Sequence, residues 1–271
     1  MGFEFKSRGW LCRTGRIYHG CGIFISGMFN TSQVGKPEGK ATGSMESAKA
    51  SLLLRDLLFA DESLQNIAAR AGAAGGNDPL ASFAAAYHAM SSGDEAAAKA
   101  NLDKIIGSPG LETRVYLQAW CCLRESNVAP PPELAGKIQG MVVEVAMEDG
   151  LDIVAAYSDH SARYFNYAGG GIVWENQDDE MNRLIDDVLV CGQNIVNNTG
   201  VWNQPRPPAP GKGMARVNAL TFGGLHFGQA ALSVLASDPL GGPAIKAAFN
   251  LMQALIARQQ TSQQRSERVS P

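Results

Sequence analysis

Residues 141–175, MVVEVAMEDGLDIVAAYSDHSARYFNYAGGGIVWE, decide the fold. Val142, Val143 and Val145 open a strand, and Glu148-Asp149-Gly150 supplies a tight turn, because Asp-Gly tolerates the positive φ that hairpins need. A second strand, LDIVAAY, follows. Ser158-Asp159-His160-Ser161 turns the chain into a third, ARYFNY, in which Ala162, Tyr164 and Asn166 alternate with Arg163, Phe165 and Tyr167. Gly169-Gly170-Gly171 turns again into IVWE. A run of short strands joined by tight turns predicts an antiparallel sheet.

The residues on either side have a different period. Upstream, Leu53, Leu54, Leu57 and Leu58 share one helix face, and Leu64, Ile67, Ala68 and Ala71 share another. Asp78 caps a third helix that has Pro79 at its first position, where a missing N–H costs nothing. Asp94 caps a fourth, EAAAKANLDKII, and LETRVYLQAWCCLRE makes a fifth before NVAPPP ends the block. Downstream, Asn176 or Asp178 caps a helix whose stripe is Met181, Leu184, Ile185, Val188 and Leu189, with Asp179, Glu180, Arg183, Asp186 and Asp187 outside it. After the Pro/Gly-rich loop 197–213 come two strands around Gly223-Gly224, then a last helix opened by Pro243, with Ile245, Phe249, Met252 and Ile256 on its buried face. The expected fold is α+β: N-terminal helical hairpins, then a mainly antiparallel sheet with helices packed on one face. The expected divisions are a disordered basic tail or leader at 1–44, a helical module at 45–140, an α+β domain at 141–260 and a disordered tail at 261–271.

Charge is unevenly distributed along the 271 residues. Residues 1–44 hold six Lys+Arg against two acids, residues 45–140 eight against eleven, and residues 141–271 nine against thirteen. The acidic body carries no basic cluster to neutralise phosphates, which argues against nucleic acid as a partner. No apolar run reaches the roughly 18 residues that span a bilayer, and the basic start followed by IYHGCGIFISGMF lacks a cleavage site of small residues. Five cysteines, Cys12, Cys21, Cys121, Cys122 and Cys191, show no CxxC spacing. Reduced thiols and a cytoplasmic location are expected. Met45 begins a clean amphipathic helix with Ser44 as its N-cap, so the chain up to 44 reads as tail or leader.

Two resemblances add to this reading. Ala84, Ala85 and Tyr87, the Gly93-Asp94 turn, Ala97, Ala100, Leu102 and Ile105, then Tyr116, Ala119 and Leu123, make residues 80–125 resemble a tetratricopeptide-like helical pair with the next helix. Pro109 falls near the expected proline, but the family's Trp-Leu-Gly start is absent. The resemblance implies a concave face that binds protein or peptide. The pattern GLDIVAAYSDHSARYFNYAGGGIVWE, with the stripe helix and LTFGGLHFGQ, is similar to a group of uncharacterised bacterial proteins and implies no activity.

Candidate site residues are few. Asp159 and His160 form a His–carboxylate pair able to do acid–base work, with Arg163 next along, although Asp in a turn commonly bonds nearby backbone N–H groups. Trp174 and Trp202 flank the stripe helix. His226 follows a Gly-Gly pair and could serve as a ligand at a loop tip, but no second ligand stands at metal spacing, and a half-buried core histidine is the plainer reading. His88 belongs to the helical pair. Gly211-Lys212-Gly213 lacks the glycine and Ser/Thr of a phosphate loop, and no helix opens after Gly169–Gly171. Arg206-Pro-Pro-Ala-Pro210 could be an extended ligand for an aromatic groove or a stiff spacer. No metal and no cofactor are expected. The leading expectation is a non-catalytic interaction or adaptor protein with a protein partner. The rival is an enzyme or small-ligand sensor with a pocket at the sheet edge around Asp159, Arg163, Trp174 and His226.

Overall fold

A computed structural model describes residues 54–71, 78–148 and 150–269. The tail or leader expected at 1–44, and the helix start at Met45, lie outside these residues. The chain divides into two compact units, each taken by itself.

The helical unit comprises the described residues up to Gln139 together with Leu220–Gly224. After a helical stretch at 54–59 come α1 (Leu64–Ala71), α2 (Pro79–Ser91), α3 (Glu95–Gly107), α4 (Thr113–Glu125) and the single turn α5 (Pro132–Ala135). Their starts follow local chemistry. Asp78 accepts a hydrogen bond from Leu80 N (2.9 Å) with Pro79 at the first helical position, and Asp94 accepts from Ala97 N (2.9 Å). Gly93, at φ +80°, makes the reversal between α2 and α3 that a Cβ would disfavour. Consecutive helices from α1 to α4 pack on one another. The core joins Leu64 and Ile67 to Phe83, Ala86, Leu102, Ile105 and Leu123. Residues 220–224 belong to this unit: Arg124 Nη1 donates to Phe222 O (2.5 Å) and Gly223 N donates to Ala135 O (3.0 Å).

The second unit is built on a six-stranded antiparallel sheet. Its strands are β1 (Ile138–Ala146), β2 (Leu151–Tyr157), β3 (Ala162–Phe165), β4 (Gly171–Trp174), β5 (Met214–Thr221) and β6 (Gly224–Ala231), in the order β4-β3-β2-β1-β5-β6. Three of the joining turns are tight: Met147 N donates to Gly150 O, Tyr157 N to Ser161 O and Asn166 N to Gly170 O. The helix α6 (Asp179–Asn198) then returns the chain from the β4 edge so that β5 pairs beside β1. A single turn, α7 (Leu232–Leu235), leads into α8 (Gly241–Val269).

Side-chain alternation separates two chemically different sheet faces. One carries Met141, Val143, Val145, Val154, Ala156, Ala162 and Tyr164, all buried. Here α6 and α8 pack on each other and both reach β2. Of the expected α6 stripe, Met181, Ile185, Val188 and Leu189 are buried and Leu184 is half-buried, while Arg183 is exposed. One expectation needs correction. Residues 261–269, expected to be part of a disordered tail, continue α8. Its Gln, Arg and Glu residues are good helix formers, and extending a helix that is already nucleated adds one hydrogen bond per residue fixed.

Candidate functional site

The other sheet face holds a cluster of buried polar side chains. Glu144 on β1, Arg216 and Asn218 on β5 and Gln229 on β6 come together there, and neither Glu144 nor Asn218 is exposed at all. Asn218 Nδ2 donates to Val142 O (2.8 Å) and to Glu144 Oε2 (3.3 Å). Arg216 Nη1 lies 3.6 Å from the same carboxylate oxygen, and Arg216 Nε donates to Gln229 Oε1 (2.8 Å). The guanidinium stands over the Phe227 ring, 5.3 Å from its centroid, and donates to Pro208 O (2.9 Å). The proline-rich loop therefore supplies carbonyl acceptors to a buried cation. Trp202 fastens the same loop: its N–H donates to Leu225 O (2.7 Å), its Nε1 donates to Pro205 O (3.0 Å), and its ring meets Phe227 edge-on. This makes the loop a packed part of the unit, with Pro210 buried.

The residues singled out from sequence are spread over the unit. Asp159 Oδ1 accepts from Ser161 N (2.9 Å), so it shapes its own turn. His160 occupies the left-handed region at φ 61°, and its Nε2 meets Asp186 Oδ1 of α6 at 3.0 Å. Both side chains of that pair are substantially solvent-exposed. Arg163 is buried. It donates to Ala162 O (2.9 Å) and Trp174 O (3.0 Å) and pairs with Glu175. Trp174 lies opposite Ala162 in the β3–β4 register, so its side chain leaves the face opposite to that of Arg163. The buried indole Nε1 has no hydrogen-bond partner. His226 is buried on the helix-covered face, where Nδ1 meets Thr199 Oγ1 at 3.1 Å and Nε2 has no partner. Burial lowers its pKa, opposed in part by hydrogen bonding to the Thr199 backbone.

The structure joins Arg163 to Trp174 through the backbone and His160 to Asp186, and it separates Trp174 from His226. Those two residues sit on β4 and β6, the opposite edges of the sheet, with four strands between them. The sequence reading missed the cluster of Glu144, Arg216, Asn218 and Gln229. Its signal was present in charged and amide residues at alternate positions of apolar strands, VVEVA and ARVNA, where period two predicts a second face. Which strands are neighbours decides whether such residues meet, and that information is not local.

Two further groups are shifted by burial. Asp152, 1 % exposed, is pushed up to about 6, although Tyr167 N (2.8 Å) and Tyr164 OH (3.3 Å) both donate to it. Burial pushes the Cys122 thiol up to about 12, so it is protonated and unreactive at neutral pH. Among the described residues no group of three or more His, Cys, Asp or Glu side chains is placed to hold a metal ion. Among them, too, no helix is long and apolar enough to cross a membrane. Comparison of the chain with protein-family models, with curated proteins and with solved structures gives no match.

Proposed function

We propose that this chain is a non-catalytic protein-interaction protein, an adaptor, and that it docks a protein partner on the solvent side of α2. One observation carries the reading. Of the thirteen residues PLASFAAAYHAMS, only Ser82, His88 and Ser91 are polar, yet only Phe83 and Ala86 are buried. Ala85 is exposed and Ala81 and Ala84 beside it are half-exposed, while Met90, at the end of the Phe83–Ala86 stripe, is 40 % exposed. A helix apolar around its whole circumference is normally enclosed, so an apolar side uncovered among the described residues fits a surface that is covered on binding. The tetratricopeptide-like reading of residues 80–125 agrees with this surface. So does the use of Asp159, His160, Arg163 and Trp202 in bonds within the fold.

The test compares the full-length chain with its Ala85→Glu variant as bait in the same extract. Ala85 is on the exposed side, one turn before exposed His88, so the new charge meets no core residue. The expected result is a stoichiometric partner held by the unaltered chain and lost from a variant of equal melting temperature. Identical captures from both baits would sink the assignment to α2.

A second reading, small-ligand binding at the sheet edge, has one observation in its favour: buried His226 Nε2 without a partner, beside Thr199. It predicts a thermal shift with a ligand that is lost in His226→Phe, measured with a panel of small acids and amides.

A further inference from the structure

The two edges of the sheet are treated differently. The β6 edge is covered at one point, where Trp202 pairs with Leu225 in an isolated bridge. The β4 edge has no such cover among the described residues. Asn166 N donates to Gly170 O, so residues 170, 172 and 174 turn their backbone groups toward β3 in the 164↔172 and 162↔174 register. Gly171 and Val173 therefore turn their N–H and C=O groups outward. Val173 is 58 % exposed, and residues 167–174, YAGGGIVW, contain no charge and no proline. Natural edges are usually blunted by shortness, a charge, a proline or a bulge; this edge is short, four residues, but carries neither a charge nor a proline.

We propose that the β4 edge pairs with the β4 edge of a second copy of this chain, making a continuous sheet across a two-fold axis. This site is separate from α2. The register argues for self-pairing. With Ile172 opposite Ile172 of the second copy, Gly171 falls opposite Val173, and their outward N–H and C=O groups form two reciprocal pairs of hydrogen bonds. The Phe165 ring lies over Gly171, where an added Cβ would come within 2.5 Å of it. Val173 of the second copy thus meets an aromatic surface beside a residue with no side chain. Glu175, already paired with Arg163, falls opposite Gly169, so no like charges meet. Pairing four residues from each copy buries well under the roughly 1,000 Å² of a stable interface. The dimer is accordingly reversible, with micromolar or weaker affinity.

The test is sedimentation equilibrium of the purified full-length chain over rising concentration. Val173→Pro removes an outward N–H and leaves the β3 ladder untouched, because proline is tolerated where the N–H of an edge strand faces solvent. Val173→Lys keeps the N–H, blunts the edge by charge and carries the test if the proline variant fails to fold. The expected result is a monomer–dimer equilibrium whose dissociation constant rises at least about tenfold in either variant. In Ile172→Cys the two sulfurs should meet across the axis, since opposed residues of a non-hydrogen-bonded pair have Cα atoms about 4.5 Å apart, within disulfide range. Oxidation should then give a covalent dimer that the unaltered chain does not form. A chain monomeric throughout the series overturns the proposal and leaves the edge to an extended segment of another protein. A dimer unaffected by both Val173 variants overturns it as well.

Discussion

Asp152 and Glu144 are both buried carboxylates, and their surroundings give them opposite roles. Asp152 receives two neutral donors and no cation, and its pKa is raised from 3.8 to about 6. A carboxyl raised in the folded state binds more protons than the unfolded chain between those two values. Its stabilising contribution is fully present below 3.8 and is lost as pH rises through about 6. Asp152→Asn removes this dependence. Between about pH 7.5 and pH 4.5 the unaltered chain should gain about 2 kcal/mol relative to the variant in urea unfolding. Parallel pH profiles would contradict the assignment. Glu144 instead faces Arg216, which is 3 % exposed. Glu144→Ala should cost about 3–5 kcal/mol by leaving a buried cation without that carboxylate, and Glu144→Gln less, because it keeps an acceptor for Asn218. Equal losses in chemical denaturation would show that the acceptor kept for Asn218 is immaterial and that the missing charge carries the whole effect.

At the scale of elements, legibility followed the reach of the signal. The α6 stripe could be read because Met181, Ile185, Val188 and Leu189 repeat at helical spacing within one segment, and all four are buried. The caps Asp78, Asp94 and Asp178 were readable because each bonds residues two or three positions away. The Asp159 turn was readable for the same reason. The cluster of Glu144, Arg216, Asn218 and Gln229 was not, because it depends on β5 pairing beside β1 after α6 has carried the chain back across the sheet. The supposed association of Trp174 with His226 failed on that strand order. The extent of α8 was also missed, since polarity alone does not distinguish an exposed helix from an unstructured tail. A direct check of the α6 placement is thermal melting of Ile185→Asp, which buries a charge and should unfold the unit, against Arg183→Asp on the solvent side, which should shift stability by about 0.5 kcal/mol or less. Equal melting temperatures would contradict it.

For the whole molecule, the two units divide the work. The sheet unit spends its polar residues internally. Arg216 binds the proline-rich loop, Arg163 closes the β3–β4 end, and His160 ties a turn to α6. Among the described residues, the helical unit leaves the Ala81, Ala84 and Ala85 side of α2 uncovered. The adaptor reading rests on this contrast, and it locates the partner on α2 and away from the residues that look most like chemistry. The measurement that tests it most directly is amide hydrogen exchange of the full-length chain, alone and with the partner captured on it. The account predicts new protection concentrated in residues 79–91, with the sheet unit unchanged. Protection confined to the sheet unit, with residues 79–91 exchanging as in the free chain, would contradict it.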